Sequence, residues 1–472
     1  MIAVNPRLLS KKSLSEKIIH SDQDPIVARA TAPGRGGIGI VRVSGQQKDI
    51  KALMGGLFPG QELKPRHATL LSVKESDGSD IDRAVILYFK GPHSYTGEDV
   101  LEIQAHGGMA VLQMILDRVL ELGRSLNLRL ADAGEFTQRA FLNGRMDLAQ
   151  SEAVADLIDA GTAAAARAAT RTLQGVFSEK LTQVSDHITE LRAYVEATLD
   201  FPEEDIDFIA DGHIAEQVNA ILSELTDLEK KALRGKVLRD GLTVVLVGAP
   251  NVGKSSLMNA LAQSEVAIVT EIAGTTRDRI EHDINLDGLL VHLIDTAGVR
   301  ETDDPVEKIG VERTLSAIEN ADVVLALTDA SGAENDDAWA RMKITKRLRD
   351  GIEEINVINK ADLRRPLSVA DKTIVLSAKT GEGLEALINN LKSISGKSVE
   401  NEGDFLARSR HLNCLARART HLELVQANLK QMTLEIAAEE LRLAGNEIGE
   451  ITGQVLPDDL LGMIFSRFCI GK

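Results

Sequence analysis

The chain is poor in sulfur, in rings and in positive charge. Its two cysteines, Cys414 and Cys469, in 472 residues can build neither a disulfide scaffold nor a zinc site, and they fit a reducing compartment. Aromatic residues make up 3%. That argues against a stacking platform for single-stranded nucleic acid, which needs exposed rings. With 54 basic and 71 acidic residues the formal net charge is −17, so the chain has no general affinity for phosphate backbones. Any contact with RNA must use a local basic patch or a partner. No apolar run approaches the roughly 20 residues of a membrane-spanning helix. The opening stretch "MIAVNPRLLSKKSLSEKIIHSDQD" lacks a secretory apolar core, and Glu16 suits a transit peptide poorly. Residues 1–24 are expected to be a disordered extension, and the protein to be cytoplasmic.

What is present is 43% hydrophobic and 26% charged, the profile of a globular chain of roughly two to four domains. Over 25–140, "IGIVRVSG", "AVILYFKG" and "DVLEIQAHGG" read as strands ended by glycine turns, followed by one helix, "AVLQMILDRVLELG". This is an α+β domain. From 141 to 240 the pattern becomes helical. Leu173, Phe177, Leu181, Val184, Ile188, Leu191, Val195 and Leu199 form one apolar stripe, broken by "FPEEDIDF", and a second striped segment runs from Ile214 to Leu238. Over 241–390 short apolar strands alternate with helical patterns, as in a parallel sheet with helices on both faces. Residues 391–472 return to helices. The expected architecture is a multidomain chain: an α+β N-terminal domain, then a helical domain in two halves, interrupted by an inserted α/β domain.

"GAPNVGKSS" from Gly248 follows a strand and opens a helical pattern. The glycines let backbone N–H groups approach phosphates, and the helix N-terminus adds positive potential. Lys254 is placed to reach the β- and γ-phosphates, and Ser255 to hold Mg²⁺. "DTAG", Asp295 to Gly298, ends the next core strand; Asp295 can hold Mg²⁺ and the Gly298 amide can sense the γ-phosphate. "NKAD" ends a later strand. Its Asp362 offers two acceptors to guanine N1–H and the 2-amino group, a donor that adenine lacks. "SAK", Ser377 to Lys379, closes on the base. Four motifs in order, each at the carboxyl end of a strand, match the ligand edge of an open α/β sheet. They identify a GTP-binding domain with Ras-like motifs.

Ras-like GTPases place Gln after "DTAG" to orient the attacking water. Here that position is Val299, whose side chain cannot hydrogen-bond. Another group must position water, and another charge must stabilise the transition state. Glu307 is a candidate for the first, although alone it reads as a solvated acid on a switch helix. Thr276, in "AGTTRD", suits Mg²⁺ and the γ-phosphate. The side-chain carbonyl of Asn251 could bind a monovalent cation that does the work of an arginine finger.

These residues resemble the tRNA-modifying GTPases of the MnmE (TrmE) family, over nearly the whole chain from about Asp24. The resemblance implies a folate-binding N-terminal domain that dimerises, a split helical domain and an inserted G domain. It implies a homodimer working with a flavin-dependent partner of the GidA (MnmG) type. The activity it implies installs an aminomethyl or carboxymethylaminomethyl group at carbon 5 of the wobble uridine of certain tRNAs, the carbon coming from 5,10-methylenetetrahydrofolate, of which 5-formyltetrahydrofolate is an analogue. "GAPNVGKSS" carries over GTP contacts to Asn251, Val252, Gly253, Lys254, Ser255 and Ser256. "TEIAGTTRD" carries them over to Thr270, Glu271, Ile272, Ala273, Gly274, Thr275 and Thr276. The other three motifs carry over Asp295, Thr296, Ala297, Gly298, Asn359, Lys360, Asp362, Ser377, Ala378 and Lys379. The family pattern implies K⁺ on Asn251, Thr270, Ile272 and Thr275, and Mg²⁺ on Ser255 and Thr276. "DTAGVRETDDPVEKIG" implies Glu307 as the water-orienting residue. "GRGGIGIVRVSG", "SYTGEDVLEIQAHGG" and "GEFTQRAFLNGRMDLAQSEAVADLIDA" imply folate contacts from Arg42, Glu102 and Arg145, with Lys472 as the fourth. From spacing alone Arg42 reads as a strand-edge charge and Glu102 as a surface acid.

The ending "FCIGK" admits three readings: a lipid anchor, a loose tail, or a reactive tip held in a site. Gly471-Lys472 does not suit prenylation. Leu460, Leu461, Ile464, Phe465 and Phe468 give the tail an apolar stripe with which to dock. The resemblance makes Cys469 a candidate nucleophile toward carbon 6 of a pyrimidine; redox sensing and simple packing stay open for it. Arg408 and Arg410, in "FLARSRH", are a basic candidate surface for RNA. A second function class, a regulatory or ribosome-assembly GTPase switch without chemistry of its own, would use the N-terminal domain only for interaction.

Overall fold

The computed structural model describes residues 24–200, 213–249, 251–264, 281–295, 317–330, 352–364, 373–394, 405–428, 433–454, 458–466 and 468–471. Two compact units result: residues 1–151 with 456–472, and residues 152–455. The expected extension, 1–24, lies almost wholly outside the described residues.

In the first unit a six-stranded sheet runs in the order β3-β4-β5-β2-β1-β6. Its strands are β1 Ile26–Arg29, β2 Ile38–Gly45, β3 Thr69–Lys74, β4 Asp80–Phe89, β5 Asp99–His106 and β6 Arg129–Leu130. All pairs are antiparallel except β1 with β6. Alternation sorts the side chains. Val41 and Val43 of β2 are fully buried with Ile50 and Leu53 of α1 (Gln47–Leu57) and Ile115 and Val119 of α2 (Met109–Gly123). Arg42 and Ser44 face the other way. That face carries α3, Glu135–Leu142, whose Phe136 is fully buried with Ile26, Ala28 and Ala131. Two helices, α1 and α2, cover the sheet where the sequence pattern predicts one. α1 was hidden by Gly55 and Gly56 in its last turn, where glycine lowers helix propensity; burial of Ile50, Leu53 and Leu57 outweighs it.

The second unit holds the rest of α4 (Leu148–Ile158), then α5 (Ala163–Leu173), α6 (Val176–Asp200) and α7 (His213–Asp240). The α6 stripe is buried from Phe177 through Leu181, Val184, Ile188 and Leu191 to Val195, while Leu173 and Leu199 are half-buried. "FPEEDIDF" lies outside the described residues. The inserted sheet runs β12-β11-β10-β7-β9-β8, with β7 Leu242–Val247, β8 Glu281–Leu286, β9 Leu289–Asp295, β10 Val323–Asp329, β11 Glu353–Asn359 and β12 Thr373–Val375. It is parallel except for β8. β8 was not read from sequence because "EHDINL" is charged. Its register follows from the turn, where Asp287 (φ 48°) and Gly288 (φ 84°) adopt the paired positive φ of a tight hairpin. Helices α8 (Lys254–Ser264) and α9 (Leu384–Ile394) follow β7 and β12. The chain then closes the helical domain with α10 (Ser409–Asn428) and α11 (Leu434–Thr452). This is the expected fold class: an α+β domain, a discontinuous helical domain, and an inserted Ras-like α/β domain. The last helix, α12 (Asp458–Phe465), belongs to the first unit.

Candidate functional site

The nucleotide motifs converge at the carboxyl edge of the inserted sheet. β7 hands the chain to Gly248 (φ 156°), where a Cβ would come 2.5 Å from the Leu327 carbonyl. Asn251 takes the left-handed conformation at φ 67°. Gly253 (φ 97°) lies so close to Asn359 that a Cβ would sit 2.3 Å from its amide nitrogen. Lys254, first residue of α8, donates to the Gly248 and Ala249 carbonyls at 2.9 and 3.2 Å. Burial lowers its pKa and the Asp295 carboxylate opposes that shift; an anion brought against this ammonium offsets its loss of water. Ser256 is exposed on α8.

Ser255 Oγ donates to Asp295 Oδ2 at 3.0 Å. Asp295 Oδ1 is buried with no hydrogen-bond partner among the described residues. A hydroxyl beside a carboxylate with an orphaned oxygen is a donor set that suits Mg²⁺, which takes oxygen ligands and few protein groups.

On the base side, Asn359 joins three motifs. Its Nδ2 donates to the Val252 carbonyl at 2.9 Å, and its Oδ1 accepts from the Ala378 and Lys360 amides at 3.0 and 2.8 Å. Lys360 (φ 65°) pairs with Asp329 at 2.6 Å. Asp362 Oδ1 accepts from Ser377 Oγ at 2.7 Å, which fixes the carboxylate plane next to Ala378 and Lys379. Sequence reasoning missed Asp329, although it closes the strand "DVVLALTD". Among the residues proposed from sequence, Thr270, Glu271, Ile272, Ala273, Gly274, Thr275, Thr276, Thr296, Ala297, Gly298, Glu307 and Lys472 lie outside the described residues.

In the first unit, Arg42 and Glu102 are register partners on β2 and β5, and Arg42 Nε donates to Glu102 Oε1 at 2.8 Å. The guanidinium lies 5.7 Å from the Tyr95 ring centre and 5.8 Å from that of Phe136, and its Nη1 donates to the Gly471 carbonyl at 3.3 Å. The C-terminal tail is docked. Ile464, Phe465 and Phe468 are buried, Ile470 bridges to Ala133, and the Gly134 amide donates to the Cys469 carbonyl at 3.3 Å. Gly471, at φ 99°, runs so close to Arg29 that a Cβ would lie 2.2 Å from its carbonyl oxygen. Cys469 is exposed, whereas Cys414 is buried, and burial pushes the Cys414 thiol up to about 11. Arg145 is exposed, its side-chain stem against Gly97. Arg42, Glu102 and the tail are thus together, and Arg145 lies at the far end of the "SYTG" loop that supplies Tyr95. Below Arg42, Ser44 Oγ meets Thr96 Oγ1 at 2.6 Å and donates to Glu98 at 2.7 Å, and Glu98 is held by Arg139. Period-2 alternation could have placed Ser44 beside Arg42, but nothing in the sequence names its partners.

The basic RNA candidate is corrected. Arg408 and Arg410 side chains are only 16% and 21% exposed, in ion pairs with Asp156 and Glu152. Their charge is already matched, so they are not a free surface for phosphate. Among the described residues no helix is long and apolar enough to cross a membrane.

Two family models match the chain: "MnmE helical domain" over residues 148–469 and "GTP-binding protein TrmE N-terminus" over residues 25–145. Among curated proteins, "tRNA modification GTPase MnmE" of Cupriavidus metallidurans is 50% identical, covering 95% of this chain and 99% of its own. The protein of that name from Bordetella avium is 52% identical with the same two coverages. That from Burkholderia cenocepacia is 50% identical over 96% of this chain and all of its own.

Proposed function

We propose, from the premise that the chain belongs to the MnmE family of tRNA modification GTPases, a K⁺-activated mechanism for its GTP hydrolysis and a folate-derived carbon for its tRNA product. The protein is a GTP hydrolase acting in tRNA modification. In our reading Lys254 and the loop amides hold the β- and γ-phosphates, while Ser255, Thr276 and Asp295 hold Mg²⁺. Asn251, Thr270, Ile272 and Thr275 hold K⁺. When bound, the two cations supply positive charge where the transferring phosphoryl group develops negative charge. Glu307 orients the attacking water in place of the glutamine that Val299 replaces. Two chains pair, and with a flavin-dependent partner they modify carbon 5 of the wobble uridine in the cytoplasm.

Folate contacts from Arg42, Glu102, Arg145 and Lys472 complete the reading. The observation that supports it is the Arg42 guanidinium, which holds Glu102 and the Gly471 carbonyl at once. This brings the segment carrying Cys469 to the residues proposed to contact folate, where the exposed Arg145 offers a cation to its anionic glutamate tail. In this reading Cys469 serves as the nucleophile toward carbon 6 of the pyrimidine.

Titration with 5-formyltetrahydrofolate tests the reading. Saturable binding is expected, weakened about ten-fold or more when the last four residues are removed or Arg42 is replaced by Ala, since each change removes hydrogen bonds to a charged group. No binding, or binding indifferent to both changes, contradicts it and favours a switch GTPase without chemistry of its own.

A further inference from the structure

The inserted domain is joined to the helical domain by two chain crossings, and one carboxylate fastens both. The outgoing crossing is the end of α7; the return is residues 405–410. Asp156 Oδ1, on α4, accepts from Arg239 Nε at 2.8 Å and from Arg408 Nη2 at 2.7 Å. Its side chain is 6% exposed. One turn earlier, Glu152 takes Arg410 Nε and Nη2, each at 2.8 Å, and His411 Nε2, also at 2.8 Å. The Arg408 amide donates to His411 Nδ1 at 3.0 Å. The imidazole is therefore neutral with its proton on Nε2, and burial keeps it so by lowering its pKa. Burial opposes the Glu152 charge too, but the hydrogen bonds from His411 and Arg410, with the Arg410 charge, more than offset it and hold the carboxyl well below the usual range.

The crossings also press on each other. A Cβ on Gly235 would lie 2.0 Å from the Phe405 carbonyl oxygen. Leu238 and Leu406 are buried together with Ala168 and Ala169, and the Leu406 amide donates to Thr172 Oγ1 at 2.8 Å. At the end of α7 the Asp240 carbonyl accepts from His292 Nε2 at 3.0 Å, and the other ring nitrogen meets Asp283 at 2.6 Å. The outgoing crossing is thereby fixed to the β8–β9 hairpin of the sheet. A Gly/Ser linker would let the inserted domain turn freely. This joint is instead a buried charge cluster, in which removing one partner leaves another uncompensated.

We propose that Asp156 is a positioning residue for tRNA modification: its double arginine clamp stiffens both crossings, so that nucleotide-driven movement of the inserted domain is delivered to the helical domain. The proposal rests on GTP hydrolysis being coupled to modification, and hydrolysis itself needs nothing from Asp156.

The test uses full-length Asp156→Asn, and Arg239→Gln as a milder cut that leaves Arg408 on Asp156, each expressed in cells lacking their own copy. Hydrolysis by the purified proteins should stay within about two-fold of the unaltered chain. The modified fraction of target tRNA nucleosides, read by mass spectrometry, should fall about ten-fold or more. Amide exchange at Leu406 and Arg408 should quicken about ten-fold. The double variant should be no worse than Asp156→Asn alone, because that change already weakens the link to Arg239. Undiminished modification, or hydrolysis falling in step with it, overturns the proposal. If the underlying coupling is wrong, Glu307→Ala, slowed in hydrolysis, restores modification as fully as the unaltered chain.

Discussion

Asp362→Asn is expected to weaken GTP binding by about 10³-fold and to strengthen xanthosine triphosphate binding over the same range, so that the two exchange rank. The Ser377 hydroxyl donates to Asp362 Oδ1. In the variant that hydroxyl retains the amide oxygen, and the NH₂ occupies the place of Oδ2. It then meets the guanine 2-amino group, donor against donor. A site built to accept a hydrogen bond rejects a mismatched partner by roughly 10⁴-fold or more, and one lost bond to a charged group costs about 1.5–3 kcal/mol. Xanthine presents a carbonyl at that position and restores the pairing. Competition of both nucleotides against a fluorescent GDP analogue reads the exchange directly. Unchanged preference for GTP would mean that Asp362 does not read the base.

Glu307→Ala should slow GTP hydrolysis by about 10²–10³-fold, the usual worth of a positioned water-orienting or proton-transferring group, with GTP affinity unchanged. Val299 stands where a glutamine would act and has no group to hold water. Glu307 is the residue proposed above to act in its place. Single-turnover hydrolysis beside equilibrium GTP binding separates the two effects. Equal turnover would remove the role, and a parallel loss of binding would make Glu307 a ligand contact instead.

The nucleotide edge was legible in sequence because each motif must end a strand and carry its own special backbone. Gly248, Gly253 and Lys360 each sit at a positive φ that a reader can anticipate from the motif. Asp329 escaped notice since its ion pair with Lys360 is a contact no spacing encodes. The α6 stripe was readable through Val195, because its partners are on sequence-distant helices but its period is local. β8 was not, its charged alternation being set by an edge strand's exposure. The clamp on Asp156 was invisible for a different reason. Arg408 and Arg410 look like a basic patch until folding brings Glu152 and Asp156, some 250 positions earlier in the chain, against them. The tail lies between these cases: its apolar stripe announced docking, while the Arg42 contact to Gly471 required the fold.

In the proposed mechanism a cation does the work of a missing side chain. Its most direct test is the GTP hydrolysis rate in K⁺ against the rate in Na⁺ at matched ionic strength and saturating Mg²⁺. A rate about ten-fold or more higher in K⁺ is predicted, an arginine-finger-like charge being worth at least that much. Equal rates in the two salts would contradict it.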